Sequence, residues 1–193
     1  TSAAAQALHA RVALYMQDWD TAIEYASILI DDKKNTFKLA DAKTKYNADY
    51  TFFDYMWAYD LSYEIIWRIG FTETSYGSPL GTVFLNFTKD LTYYYPDYVP
   101  ATAALNLYDA ADLRYSGYFA GKEQGLTIGY TNGLDWPMLV KYYGNRNFTS
   151  KLIFHVSMPK PFRLAEQYLI RAEAYCRKND FTKAGNDLTA LRK

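Results

Sequence analysis

The sequence is poor in the residues that carry most metal and redox chemistry. Among 193 residues there is one cysteine, Cys176, and there are only two histidines, His9 and His155, far apart along the chain. A single cysteine excludes an intrachain disulfide, and two distant histidines without paired cysteines argue against a His/Cys metal site. We predict no cofactor and no metal, and we expect Cys176 to be a buried structural thiol on an apolar helix face.

Net charge and long apolar runs are also lacking. Basic and acidic residues both number 21, so the formal net charge is zero, and no basic stripe indicates a nucleic-acid partner. No apolar run approaches the ~20 residues that are needed to span a bilayer. Walker, dinucleotide-binding and nucleophile-elbow motifs are missing from the sequence as well. These absences argue against several common enzyme classes.

Aromatic residues, by contrast, are abundant and unevenly distributed. Tyrosine (20), phenylalanine (11) and tryptophan (4) together supply 35 residues, and 26 of them lie between Tyr46 and Phe148. Tyrosine combines a flat apolar face with a hydroxyl group, which suits a partly hydrated surface. The middle of the chain is therefore compositionally distinct from its flanks.

The C-terminal segment, 161–192, predicts a helical hairpin. Apolar residues recur at helical spacing from Leu164 to Cys176, and Pro161 suits a first helical turn. Asn179 and Asp180 then predict a turn in which Asp180 is the N-cap of a second helix. The apolar stripe of that helix consists of Phe181, Ala184, Leu188 and Leu191, and Gly185 is expected to let two helices approach closely.

The N-terminal segment, 2–31, repeats this hairpin. A shift of 162 residues (180 minus 18) aligns Asp18 with Asp180, and Trp19 with Phe181. The positions predicted to face inward are Ala5, Leu8, Val12, Tyr15 and Met16 in the first helix, and Ala22, Ile23, Ala26, Leu29 and Ile30 in the second. Hairpins of tetratricopeptide type stack on their neighbours, so we expect the two copies to share a core. Two unrelated amphipathic hairpins remain the alternative.

Four motifs in the same order resemble the SusD/RagB family. Residues 163–175 look like the motif near the C-terminal part of that family, and 10–16 with 19–22 resemble its earlier helix pair. Between them, 63–67 and 112–114 lie in the expected order. The resemblance covers nearly the whole chain, and it implies a mainly α fold in which tetratricopeptide-like hairpins flank an irregular, aromatic-rich insert with short strands.

The resemblance also implies a function and a location. Members of this family are outer-membrane nutrient-binding lipoproteins of polysaccharide utilisation in Bacteroidetes, which capture glycans and deliver them to a SusC-like TonB-dependent transporter. We therefore expect a single SusD-like domain over 1–193, with its insert at about 46–158. The chain is expected to be a fragment, because the signal peptide, the lipidated cysteine that would anchor it to the membrane and the extreme C-terminal part lie outside it.

The insert, 46–158, is predicted to contain only short elements. A short helix is expected within 47–60, a strand at 62–71 with Trp67 in the core, and a short helix at 103–108. Short strands are also expected at 118–119 and 139–143. Glycine and proline interrupt the rest of the segment, which predicts loops.

Aromatic residues within these loops are the candidate binding residues. Loops run over the surface, and consecutive tyrosines cannot all point inward, so some ring faces should be free to stack on the C–H faces of sugars. The candidate glycan-binding residues are Tyr76, Tyr93, Tyr94, Tyr95, Tyr130 and Trp136. The family's ligand residues lie in variable loops without a motif, so the resemblance assigns none of them. Tyr15, Tyr168 and Tyr175, which lie on predicted helices, are expected to fill the core instead.

An enzymatic role is not predicted. Asp54, Asp60, Glu64 and Asp112 lie in the aromatic zone, but any protein of this size contains acids that could match a glycosidase pair. We expect Asp112 to form a structural contact with Arg114. Two other functions remain open, namely a tetratricopeptide-type scaffold that binds a peptide or protein, and a family member that binds a nutrient other than a glycan.

Overall fold

Two α-helical hairpins, far apart in the sequence, form the centre of one structural unit. The computed structural model describes residues 1–34, 36–77, 79–86, 93–109, 111–130 and 134–192. The chain divides into two compact units. The hairpin unit comprises Thr1–Thr44, Leu61–Gly70 and Pro159–Lys193, and the aromatic unit comprises Lys45–Asp60 and Phe71–Met158. The organisation as a single domain stays a prediction.

The described residues form helices and short strands. In chain order these elements are α1 (Ser2–Tyr15), α2 (Trp19–Ile30), α3 (Phe52–Tyr59), β1 (Ile65–Trp67), α4 (Thr82–Leu85), α5 (Thr102–Leu105), α6 (Leu113–Tyr118), β2 (Phe119–Ala120), a 3₁₀ turn (Lys122–Gln124), β3 (Met138–Leu139), α7 (Arg146–Thr149), β4 (Phe162–Arg163), α8 (Leu164–Arg177) and α9 (Phe181–Arg192). Among the helices of these described segments, none is long and apolar enough to cross a membrane.

The two hairpins of the hairpin unit turn in the same way. Gln17 and Asn179, which are 162 positions apart (179 minus 17), both have a φ of 62°. In each hairpin the next residue is an aspartate whose carboxylate caps the following helix. Asp18 accepts a hydrogen bond from the backbone of Thr21, and Asp180 accepts one from the backbone of Lys183. The structure thus contains the repeat that the sequence predicts. Asp180 is the N-cap of α9, as predicted. Helix α1 is capped by Thr1, whose side chain accepts a hydrogen bond from the backbone of Ala4.

The core between the hairpins is built largely from small residues. One buried cluster consists of Ala10 and Ala13 of α1, Ala22 and Ala26 of α2, and Ile170 and Ala174 of α8. The two hairpins therefore share a core, as predicted. Trp19 packs against this cluster, but Phe181, its counterpart in the repeat, is 64% exposed, so its predicted burial is wrong.

The predicted inward face of α1 is also wrong. Ala7, Ala10 and Ala13 are buried, whereas the larger apolar residues lie outside, with Tyr15 81% exposed and Leu8 48% exposed. Val12, Met16 and Ala5 are exposed as well. Alanines let the helix axes approach closely, and this close packing decides which face of α1 is buried. The large apolar side chains recur with the same helical period as the alanines, so the period alone does not distinguish the two faces. Helix α2, whose Ala22, Ala26 and Leu29 are buried, follows the prediction.

Several other burial predictions are corrected by the structure. Cys176 is exposed rather than buried, and Trp67 of β1 is 41% exposed rather than in the core. Leu188 of α9 is 41% exposed, so the predicted stripe of α9 is only partly inward. Among the described residues, no heavy atom would lie within 4 Å of a Cβ atom at Gly185, so this glycine does not serve a close helix contact. These side chains lie on the outer surfaces of helices and strands, although the apolar pattern of the sequence predicts that they face inward.

The strands are shorter than predicted. The strand expected at 62–71 is reduced to β1, which pairs antiparallel with β4 within the hairpin unit. Within the aromatic unit, β2 pairs antiparallel with β3 and replaces the strands expected at 118–119 and 139–143. The helix expected within 47–60 is α3, which begins with a capping box formed by Thr51 and Asp54. The helix expected at 103–108 is α5, which ends after Leu105.

Candidate functional site

Two loops of the aromatic unit that carry predicted binding residues lie side by side. The backbone N–H of Tyr94 donates to the carbonyl of Thr127 at 2.9 Å, and the N–H of Gly129 donates to the carbonyl of Tyr94 at 2.9 Å. These hydrogen bonds hold the segment 93–95 against 127–130. Candidate residues more than thirty positions apart in the sequence are thus brought together.

Tyr95, which is partly buried, contacts Tyr130, which is exposed. Their ring centroids are 5.1 Å apart in an edge-to-face geometry of 74°, and the Tyr130 hydroxyl donates to the Tyr95 carbonyl at 3.4 Å. The side chain of Tyr130 is 62% exposed, and that of Tyr93 is 41% exposed. We call Tyr93, Tyr95 and Tyr130 the loop tyrosines. Tyr93 and Tyr130 leave part of their ring faces open to solvent, which is what stacking on a sugar ring requires.

A glycine makes this geometry possible. A Cβ atom at Gly129 would lie 2.4 Å from Cζ of Tyr95, so a larger residue at this position would displace the Tyr95 ring. The Tyr95 ring therefore lies directly against the backbone of Gly129. Close backbone approach is one of the main reasons for a glycine at a binding surface.

Tyr94 has a different position from its two neighbours. It is 6% exposed and packs with Leu85, Ile128 and Met138 in the core of the aromatic unit. Burial and a hydrogen bond with the side chain of Tyr143 raise the pKa of the Tyr94 hydroxyl well above its usual range. Because side chains alternate along 93–95, at least one of the three tyrosines was expected to be exposed. In the structure the buried tyrosine is Tyr94.

The two remaining candidates are less exposed or lie elsewhere. The Trp136 ring is half-buried against the same core, and its indole N–H donates to the carbonyl of Pro100 at 2.9 Å. Tyr76 follows the turn 72–75 and is 42% exposed, and it makes no ring contact with the loop tyrosines. The involvement of any of the six candidates in glycan binding stays a prediction.

A second aromatic group, which was not predicted from the sequence, is built around α3. The rings of Tyr46 and Tyr55 are stacked with centroids 3.9 Å apart, and those of Tyr55 and Tyr59 are stacked at 4.6 Å. Tyr55 and Tyr59 are four positions apart on one helix face, so the sequence could have predicted their contact. Tyr46 joins them only through the tertiary structure. Most of the ring faces in this group are covered by one another.

A pocket of about 240 Å³, also missed, lies in the aromatic unit. Its walls include Asp54 and Trp57 of α3, Gly117 of α6, and Lys141, Tyr143 and Arg146 from the segment after β3. The sequence offered little signal for it, because its lining residues come from three separate segments, 54–58, 117–126 and 140–146. The pocket combines aromatic faces with two cationic side chains and one carboxylate.

The acidic side chains that could match a glycosidase pair have structural partners. Asp60 is fully buried and accepts hydrogen bonds from the Asn145 amide at 2.8 Å and from the backbone of Met158 at 3.0 Å. Glu64, in the hairpin unit, accepts a hydrogen bond from Arg163 at 2.7 Å. Each of these carboxylates thus holds a local turn or strand in place.

The other two acids belong to helix termini. Asp54 completes the capping box of α3, and Asp112 caps α6 while its carboxylate accepts hydrogen bonds from Arg114. The predicted structural contact between Asp112 and Arg114 is confirmed. Within the described ranges no group of three or more His, Cys, Asp or Glu residues could hold a metal ion.

The architecture is that of a helical-hairpin protein with an aromatic-rich insert, and solved structures with the same fold exist. Surface glycan-binding protein A from Bacteroides thetaiotaomicron matches with a TM-score of 0.71 and 17% identity, over 100% of this chain and 46% of that chain. A SusD superfamily protein from the same species matches with a TM-score of 0.70 and 21% identity, over 97% of this chain and 39% of that chain. Surface glycan-binding protein A from Bacteroides uniformis gives 0.69 and 18%, over 100% of this chain and 41% of that chain.

These comparisons establish the fold. The chain has a SusD-like fold, and the fold class predicted from its sequence motifs is confirmed. It spans less than half of the length of each of these three structures. No family model and no curated protein matches the sequence.

Proposed function

We propose that the chain is part of a SusD/RagB-type protein that binds a glycan at the cell surface. The observation that carries the proposal is the fold, which aligns over nearly the whole chain with proteins that are described as surface glycan-binding or SusD-like carbohydrate-binding proteins. The aromatic-rich loops of this chain supply the kind of surface that such binding needs.

The loop tyrosines are the proposed contact surface. Tyr130 and Tyr93 offer exposed ring faces, and Tyr95 is held in place by Gly129 and by the edge contact with Tyr130. A ring that is already ordered by its neighbours loses little conformational freedom when a ligand binds. Covering one such face with a sugar should contribute roughly 1–2 kcal/mol, which is less than complete burial of an apolar side chain.

The proposed role is capture and delivery without chemistry. The protein would hold an oligosaccharide and pass it to a SusC-like TonB-dependent transporter, as a lipoprotein exposed on the outer membrane. Its lipid anchor would lie outside this chain. The structural partners of Asp54, Asp60, Glu64 and Asp112 are consistent with a binder rather than a glycosidase.

One observation favours a second function. Leu8, Val12 and Tyr15 form an exposed apolar row along α1, and such a row is a surface on which an amphipathic peptide could lie. A tetratricopeptide-type scaffold for a peptide or protein therefore remains the second candidate. A nutrient other than a glycan is the third.

The decisive test is a binding experiment with a panel of glycans. Isothermal titration calorimetry would identify the best ligand of the protein, and then compare the parent with Tyr130→Ala, Tyr93→Ala and Tyr95→Ala. At a contacting position we expect the affinity to fall roughly 5- to 30-fold, with little change in melting temperature.

Tyr15→Ala is the matched control, because Tyr15 is even more exposed but lies on α1 in the hairpin unit. It should bind like the parent. If no glycan in the panel binds, the proposed function is wrong, and titration with peptides would then test the second candidate. If a glycan binds but all three loop variants match the parent, the contact surface lies elsewhere.

A further inference from the structure

The pocket of the aromatic unit has a charge pattern that the loop tyrosines lack. Lys141 and Arg146 line it together with one acid, Asp54, which leaves one net positive charge in a space of about 240 Å³. Pockets for drug-sized ligands are typically larger, roughly 300–1,000 Å³. The space therefore suits a single sugar residue rather than a whole oligosaccharide.

Arg146 is the more available of the two cations. Its guanidinium carbon lies 4.5 Å from the centroid of the Tyr143 ring, so one face of the guanidinium is covered by an aromatic ring. With the described residues it forms no ion pair and no side-chain hydrogen bond. The N–H groups at the edge of its plane are therefore left for a ligand, and their fork geometry matches a carboxylate.

The segment that carries Arg146 is held firmly. The carbonyl of Tyr143 accepts a hydrogen bond from Nδ1 of His155 at 3.1 Å, and buried Asn145 donates to the Tyr59 carbonyl at 3.0 Å. At Gly144, φ is 122° and a Cβ atom would lie 2.8 Å from the backbone nitrogen of His155. The turn from 143 to 146 is consequently a rigid wall, and Tyr94 supports it from the core through its hydrogen bond with Tyr143.

The rest of the lining offers a second cation and an acceptor. Lys141 lies 4.3 Å from the Trp57 ring centroid and 4.6 Å from that of Tyr118, so its ammonium group is held over aromatic rings. Asp54 uses Oδ2 in the capping box of α3, while its Oδ1 faces Gly117, where a Cβ atom would be 3.6 Å away. That oxygen accepts no hydrogen bond from the described residues, so it can accept one from a sugar hydroxyl.

From this arrangement we infer that the pocket binds an acidic sugar residue, such as a uronic acid, within the glycan. Its carboxylate would accept hydrogen bonds from Arg146, and a hydroxyl would donate to Asp54. The inference rests on the proposed function, because it names the class of glycan. In this arrangement buried Tyr94 does not contact the glycan. It positions Tyr143, which lines the pocket.

The test uses one oligosaccharide in two charge states. Calorimetric titration would compare oligogalacturonate with the same oligomer after methyl esterification of its carboxyl groups. We expect the acid form to bind, and we expect its affinity to fall roughly 10- to 100-fold on esterification or in Arg146→Gln, because a charge-assisted bidentate contact is lost. Arg146→Lys should recover part of the affinity, since it keeps the charge but not the fork.

Arg177→Gln is the control for net charge. Arg177 also lies over an aromatic ring, that of Trp19 at 5.8 Å, but it belongs to the hairpin unit. It should bind the acid form like the parent. Equal losses in the two glutamine variants would overturn the inference in favour of a general charge effect, and unchanged binding by Arg146→Gln would overturn it as well.

The outcomes separate this inference from the proposed function. If neutral glycans bind and the acid form does not exceed its ester, the pocket assignment fails while glycan binding stands. If no glycan binds in either charge state, both fail. Because Arg146→Gln could alter the fold, its melting temperature would be compared with that of the parent, and Arg146→Lys gives a second, more conservative reading.

Discussion

Arg171 of α8 donates two hydrogen bonds to the carboxylate of Asp187 in α9, at 2.9 and 2.7 Å, inside the hairpin unit. Both side chains are largely buried, with 11% and 6% exposed. The same guanidinium also reaches α2, where it donates to Asp31 at 2.7 Å and to the hydroxyl of Ser27 at 3.1 Å. One arginine thus joins three helices of the two hairpins.

The first prediction concerns the two carboxylates that share this arginine. Asp187→Ala should lower the free energy of unfolding by about 3–5 kcal/mol, because it leaves a buried positive charge without its main partner. Asp31→Ala should cost about 1 kcal/mol or less, since the Asp31 carboxylate is 62% exposed and solvent screens the pair. Urea unfolding followed by circular dichroism measures both changes. Equal costs would mean that burial does not govern this network.

The second prediction tests which face of α1 is buried. Ala10→Leu should destabilise the protein by about 1–3 kcal/mol, because Ala10 is fully buried between helices and its site has no space for a larger side chain. Leu8→Ala should change stability by about 0.5 kcal/mol or less, because this side chain is on the exposed face. Thermal unfolding of the two variants provides the comparison. A larger loss in Leu8→Ala than in Ala10→Leu would restore the inward face that the sequence pattern predicts.

The third prediction compares two glycines. Gly144→Ala should cost about 1–3 kcal/mol, because φ at this position is 122° and the new methyl group would meet the backbone of His155. Gly185→Ala should instead stabilise the protein by about 0.5–1 kcal/mol, since this glycine lies within α9 with open space around it.

Denaturant unfolding of both glycine variants, analysed with the parent in one series, checks the opposite signs. A loss of stability in Gly185→Ala would mean that α9 packs more closely there than the structure indicates. An unchanged Gly144→Ala would show that the turn 143–146 can relax, and it would weaken the argument for a rigid wall at Arg146.

The fourth prediction is a pH dependence from His155. This residue is 5% exposed, and burial lowers the pKa of its imidazole, although its hydrogen bond with the Tyr143 carbonyl acts in the opposite direction. The unfolded chain, with a histidine pKa near 6.5, binds the proton more readily than the folded chain. The stabilisation is therefore fully present above about pH 6.5 and is lost as the pH falls through the lower folded pKa.

Denaturation midpoints measured between pH 5 and pH 8 would show this decrease on the acid side. His155→Asn is a suitable control, because asparagine tolerates the positive φ of 61° at this position and does not titrate. The slope between about pH 5 and pH 6.5 should largely vanish in this variant. An equal slope in the variant would assign the dependence to other groups.

Much of the hairpin unit follows from the sequence alone. The helical period of 164–176, the Asp turns at 18 and 180 and the repeat between them predicted two hairpins with a shared core, and the structure contains both. The helices and the Asp turns depend on hydrogen bonds between residues a few positions apart, so the local sequence is sufficient to determine them. The shared core joins residues about 160 positions apart, such as Ala10 and Ile170, and it was predicted from the matched apolar faces of the two hairpins. The motif order also predicted the SusD-like fold.

The faces and the sites were decided by the tertiary structure. The close packing of Ala10 and Ala13 against the second hairpin turned α1 and left Tyr15 in solvent, because helices joined through alanines approach too closely for larger residues. In the aromatic unit, the backbone hydrogen bonds of Tyr94 placed that ring inside, whereas Tyr93 is exposed and Tyr95 is partly buried. The pocket around Arg146 likewise exists only where distant segments meet. These non-local contacts determine which ring faces remain free. The amino-acid composition and the local sequence pattern do not predict such contacts.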